Sequence, residues 1–250
     1  MNIQRIVALV KMELKKLIRE PATLFLIVIF PAMLTLVFGL GFGEMESATP
    51  GVSQFDVMVP GLYAFVCIFI IMTVAQTFSE DREKGLLRRM NTTPLTSGEF
   101  MGSHILTNTL ISVMQVIIVV VLSFLMGYRQ SGGAGGLAIA FIFMIFLSVS
   151  SVGLGLITAT IAKTPGAATG IAFIFIMPQM FLGTYIVPTN STTAIISMFL
   201  PSAYVTDGIV MLFNGDLLNP LVWIKLVTVI LISVVIVIAG ILLFKKYGNK

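Results

Sequence analysis

The chain has 250 residues, 57% of them hydrophobic and only 10% charged, with a mean hydropathy of +1.05. A soluble domain carries about 25% charged residues to cover its surface, so a water-soluble globular fold is excluded. The formal net charge of +4 comes from cations set between apolar runs, which fits membrane orientation signals and argues against a nucleic-acid partner.

Residues 1–20 read as an amphipathic interfacial helix. Ile3, Ile6, Val7, Val10, Leu14, Leu17 and Ile18 fall on one helical arc. Arg5, Lys11, Lys15, Lys16 and Arg19 lie on the other side, where they can meet anionic headgroups. A signal peptide would carry a far shorter charged region. Six apolar segments follow, at roughly 22–42, 57–78, 103–127, 137–162, 167–187 and 221–244. Each is long enough to cross about 30 Å of hydrocarbon. The expected fold is an all-α polytopic membrane protein with six transmembrane helices in one domain, 1–250. Pro31 and Pro178 fall inside two spans and should bend them. Gly39 with Gly43, Gly166 with Gly170, and Ser151 with Gly155 and Ala159 offer small surfaces for close helix contact. Cys67, the single cysteine, excludes an internal disulfide and reads as a small helix- or lipid-facing residue.

The loop at 79–95 is the most informative connection. Ser79 can cap a short helix with acids in its first turn and Arg88 and Arg89 in its last, and Thr93-Pro94 stops it. Thr96 and Glu99 then form a capping-box pattern for the next span. Leu86, Leu87 and Met90 give the short helix an apolar face with nothing in the loop to cover it, so it should dock on a cytoplasmic partner. Residues 188–220 are too apolar for a solvated loop and too broken by Pro188, Pro201 and Gly215 for another span. They read as two short helices, about 192–200 and 202–213, resting at the outer surface or dipping into it; a re-entrant hairpin is the alternative.

Thirteen of the fifteen Lys and Arg residues fall on the side of the N-terminus, leaving Arg129 and Lys225 on the other. The positive-inside rule therefore places both termini in the cytoplasm of a cell membrane.

The run from Pro60-Gly61-Leu62 through DREKGLLRRMNTTPLTSGEFMGSHILTN resembles the signature region of ABC type-2 (ABC-2) transporter permeases. Glu83, Gly85 and Leu87 keep that family's helix pattern, Thr93-Pro94-Leu95-Thr96 and Glu99 its turn, and Leu86 stands where threonine is common. Leu200-Pro201-Ser202-Ala203-Tyr204 before the last span extends the resemblance. The resemblance implies a coupling helix, formed here by Glu83, Gly85, Leu86, Leu87, Arg88, Arg89 and Met90, that fits a groove on a separate ATP-binding subunit. It also implies pairing with a second permease copy, identical or related, and export driven by ATP and Mg bound to the partner ATPase.

The chain itself contains no GxxxxGK[ST] phosphate loop, so it is expected to hydrolyse no ATP and to carry no cofactor or metal of its own. An ion-coupled transporter or channel would place ionisable residues within its spans, whereas these segments carry essentially none; Lys225 sits near the outer end of the last and can snorkel. An intramembrane enzyme would need a base, and the only histidine, His104, stands at the cytoplasmic edge of the third span, more fitting as an interfacial polar residue or a contact to the coupling region. Spans rich in Phe, Met, Ile and Thr suit a drug, antibiotic or other amphipathic cargo. Polysaccharide, lipid-linked substrate and sodium are the family's other cargo classes. Met177, Gln179, Met180 and Tyr185, around the break at Pro178, are the candidate path residues.

Overall fold

The computed structural model describes residues 3–19, 21–85, 97–184 and 191–247. Among these the chain forms nine helices and no strand. They are α1 (Ile3–Arg19), α2 (Pro21–Phe42), α3 (Gln54–Glu83), α4 (Ser97–Leu125), α5 (Gly133–Ile161), α6 (Pro165–Gly183), α7 (Ser191–Ser197), α8 (Pro201–Phe213) and α9 (Pro220–Tyr247). Five of them, α3, α4, α5, α6 and α9, are long and apolar enough to cross a membrane. The 22-residue α2 is a further apolar helix.

Helix α3 is the hub. Nearly every side chain from Val59 to Ala75 is buried, and the helix packs against α2, α4, α5, α6 and α8. It starts three residues before the expected span because Ser53 closes a capping box, its hydroxyl accepting from the Asp56 N–H at 3.1 Å while the Asp56 carboxylate accepts from the Ser53 N–H at 3.3 Å. Small residues set the closest approaches. A Cβ on Gly61 would meet the Thr184 carbonyl oxygen at 2.1 Å, and one on Gly155 would meet Val74 and the Ile71 carbonyl oxygen at 2.7 and 2.8 Å. Ser151 and Ala159 are buried in the same stripe, and Cys67 is buried against neighbouring helices. Gly39 faces Met126, but a side chain at Gly166 or Gly170 would meet nothing within 4 Å, so that pair makes no close helix contact. Buried hydroxyls tie helices across the bundle. Tyr63 pairs with Ser123, Ser112 with Ser148 at 2.8 Å, and Ser233 donates to the Phe146 carbonyl at 2.8 Å.

The described part of the segment between α6 and α9 forms two short helices close to those expected, and α8 is packed among the long helices. Pro201, Ser202, Val205, Thr206, Ile209, Leu212 and Phe213 are buried, and α8 packs among α3, α5, α6 and α9. Thr206 donates to the Gly183 carbonyl at 2.7 Å, and a Cβ on Gly208 would meet the Phe143 ring at 2.7 Å. The Ser131 N–H donates to the Phe213 carbonyl at 2.8 Å, fixing the end of α8 beside the α4–α5 turn. Helix α8 thus plugs the end of the bundle opposite α1.

Candidate functional site: the roots of the 86–96 segment

Helix α3 continues through the residues expected to begin a separate helix. Ser79 is buried inside α3 rather than capping anything, because Ala75–Phe78 before it are already helical. The helix ends at Glu83: the Lys84 N–H donates to the Glu80 carbonyl at 2.8 Å, and Gly85 turns the chain at φ +72°. That left-handed conformation is the usual glycine device for closing a helix. The acids Glu80, Asp81 and Glu83 therefore sit in the last turns of α3, where the macrodipole does not favour them, and two of the neighbouring charges in this tip are engaged by other helices. Arg82 donates to the Thr160 carbonyl at 3.3 Å and to the Ala162 carbonyl, capping the C-terminal end of α5. Lys16 of α1 donates to Asp81 Oδ1 at 2.5 Å. Of the expected coupling residues, Glu83 is exposed at the tip of α3 and Gly85 makes the turn. Leu86, Leu87, Arg88, Arg89 and Met90 lie outside the described residues, as does Thr96 of the expected capping box.

The other root of the segment, the start of α4, is held by the same helix α1. Glu99, buried in the first turn, lies 3.8 Å from Arg5. One turn further, His104 is buried against the rings of Phe78 and Phe100, with Nε2 3.7 Å from Glu13. So α1 reaches both flanks of residues 86–96 through two ion pairs, Lys16–Asp81 and Arg5–Glu99, and the Glu13–His104 contact. The side of α1 turned to the bundle carries Leu9, Val10, Glu13, Leu14, Lys16 and Leu17, while Ile3, Val7 and Ile18 of the apolar arc are exposed.

Glu13, Asp81 and His104 each bring one oxygen or nitrogen within 4.8 Å of the others, a donor set that could hold a cation. The Lys16 ammonium already supplies positive charge there. Asp81 Oδ2, His104 Nε2 and the Thr107 hydroxyl are buried without a hydrogen-bond partner among the described residues. Beside them is a cavity of about 30 Å³ lined by Glu13, Lys16, Thr73, Thr77, Thr107 and Asn108, among others, large enough for one bridging water. Sequence reasoning missed this cluster. Its signal was Glu13, an acid standing between Val10 and Leu17 at helical spacing, and the lone histidine.

Of the candidate path residues, Met177 is exposed, Gln179 is buried with its amide donating to the Phe175 carbonyl at 3.3 Å, Met180 is half-buried, and Tyr185 lies outside the described residues. Gln179 also helps seat α8, its backbone carbonyl accepting from the Ser202 hydroxyl at 3.3 Å.

A family model described as ABC-2 type transporter matches residues 4–214, and the chain belongs to that family. It is 24% identical over 193 residues to the probable multidrug ABC transporter permease YbhR of Escherichia coli K12, covering 76% of this chain and 52% of that protein. It is 24% identical over 168 residues to the daunorubicin resistance ABC transporter permease protein DrrB1 of Streptomyces coeruleorubidus (67% of this chain, 59% of that protein). It is 27% identical over 222 residues to the putative transport permease ycf38 of Porphyra purpurea (85% of this chain, 75% of that protein). The chain thus spans little more than half the length of the first two relatives. All three are named as permeases, none as an ATP-hydrolysing subunit.

Proposed function

We propose that this chain is the membrane-spanning permease subunit of an ATP-driven exporter. It moves a drug, antibiotic or other amphipathic compound, working with a separate ATP-binding subunit and a second permease copy. The family match over residues 4–214 carries this reading, and the relatives named for multidrug transport and daunorubicin resistance support the cargo class. In this reading α2 joins the five long apolar helices as a sixth span, and α1 lies in the cytoplasmic interface. Both termini face the cytoplasm, in line with the positive residues.

The anchored roots of the 86–96 segment suit a transmission element. A docked ATPase pushing on Glu83, Gly85 and the residues through Met90 would push on the tip of α3, which Lys16 and the end of α5 hold in place. The force would therefore reach the centre of the bundle. ATP and Mg belong to the partner.

The test is co-expression with an ABC-class ATPase in a drug-sensitive host. Wild-type chain should co-purify with the ATPase and raise resistance. Leu87→Pro should abolish export while the chain still inserts, since proline breaks a short helix. Charge reversal at Glu83, or at Arg88 with Arg89, should weaken ATPase co-purification. Normal export by Leu87→Pro would exclude the segment as the transmission element.

A further inference from the structure

At the end of the bundle opposite α1, Lys225 on α9 donates to Asp207 Oδ2 on α8 at 2.6 Å. Nothing in the proposed export cycle uses this pair. It stands on the wall of a cavity of about 420 Å³, within the size range of small-ligand sites. The remaining wall is part aromatic and part apolar, with Tyr204, Leu182, Met198 and Ala203. Tyr204 is fixed by its hydroxyl, which donates to the Met198 carbonyl at 2.8 Å, and the Lys225 ammonium sits 5.7 Å from its ring centroid.

Two features point to an occupant. The pair is only half-withdrawn from its surroundings, with Lys225 22% and Asp207 31% exposed. Its mutual hydrogen bond engages one carboxylate oxygen and one ammonium proton, leaving Asp207 able to accept and Lys225 able to donate further. Exposed apolar side chains neighbour the lining residues in sequence, Ile195 and Phe199 beside Ala194 and Met198, and Trp223 and Ile224 beside Lys225. An exposed tryptophan at the start of a spanning helix marks the level of lipid headgroups.

We propose that this cavity binds the zwitterionic headgroup of a phospholipid that carries a primary ammonium. The lipid phosphate accepts from Lys225, its ammonium donates to Asp207, and the acyl chains follow the exposed apolar side chains. The charges decide the class. A purely anionic headgroup would meet the Asp207 carboxylate as a like charge, and a trimethylated headgroup has no N–H to donate to it. The inference rests on the membrane-spanning part of the proposed reading and not on drug export.

The experiment is native mass spectrometry of the full chain in detergent with phosphatidylethanolamine, phosphatidylcholine and phosphatidylglycerol of identical acyl chains. Phosphatidylethanolamine should be retained at least tenfold more tightly than either of the others. The double variant Asp207→Asn/Lys225→Met, which leaves no lone charge, should lose that preference while staying monodisperse. Equal retention of the three lipids by the wild type, the behaviour of a non-selective lipid annulus, would overturn the proposal without needing any variant. So would an undiminished preference in the double variant. A chain that selects phosphatidylethanolamine but exports no drug would count against the export reading alone.

Discussion

Two ion pairs of nearly equal length sit at opposite ends of this molecule. Lys16–Asp81 measures 2.5 Å and joins α1 to α3 with the carboxylate almost fully buried; Lys225–Asp207 measures 2.6 Å and joins α9 to α8 with both partners partly exposed. Distance alone would rank them together. The two ammonium groups are similarly exposed, Lys16 at 29% and Lys225 at 22%, so it is burial of the carboxylate that separates the pairs. A carboxylate stripped of solvent depends on its partner far more than one that water still reaches. The first pair therefore reads as structural and the second as available.

The largest effect is expected where the carboxylate is buried. Lys16→Met leaves Asp81 uncompensated and should destabilise the chain by about 3 kcal/mol, seen as a lower thermal midpoint in detergent. Adding Asp81→Leu should restore most of that loss, since it removes the buried charge left alone. A double variant as unstable as the single one would show that Asp81 does more than answer Lys16. Next comes Gly61→Ala, whose methyl would strike the Thr184 backbone rather than a side chain that can swing away; about 1–3 kcal/mol is expected on the same assay. Arg82→Gln removes the charged donor at the end of α5 and should cost about 1–2 kcal/mol. Its distinguishing sign is faster hydrogen exchange confined to the last turn of α5. The smallest effect belongs to Asp207→Asn, below about 1 kcal/mol. A loss there as large as at Lys16 would erase the distinction between the two ends.

The long apolar helices were legible because a membrane helix is written as an unbroken apolar run. The ends of the helices at the six expected positions differ from the expected ones by only a few residues in most cases; among the described residues, five of the six are long and apolar enough to span. The exceptions have physical causes. Ser79 looked like a cap because serine before acids is a cap pattern, but a cap needs a non-helical residue before it; α3 simply ran on. The burial of α8 was invisible because its inward face mixes Ser202, Thr206 and Gly208 with Val205 and Ile209, so no clean stripe announced it. The polar cluster draws Glu13, Asp81 and His104 from three separate helices. Periodicity says which residues share a face of one helix; it does not say how that helix is rotated against its neighbours. For α1 the contact with the bundle combines Val10, Leu14 and Leu17 of the apolar arc with Glu13 and Lys16, while Ile3, Val7 and Ile18 of the same arc are exposed. At α9 the most apolar of the long helices is also among the least buried within the chain, as expected where lipid rather than protein can cover it.

The unbroken length of α3 sets a phase as well as a reach. Its 30 residues measure about 45 Å, longer than the roughly 30 Å a hydrocarbon slab requires. Each residue along it also carries about 100° of rotation. One residue inserted near its middle would lengthen it by only about 1.5 Å. The same insertion would swing Asp81 and Arg82 out of line with Lys16 and α5, and turn Glu83 by about a quarter-turn.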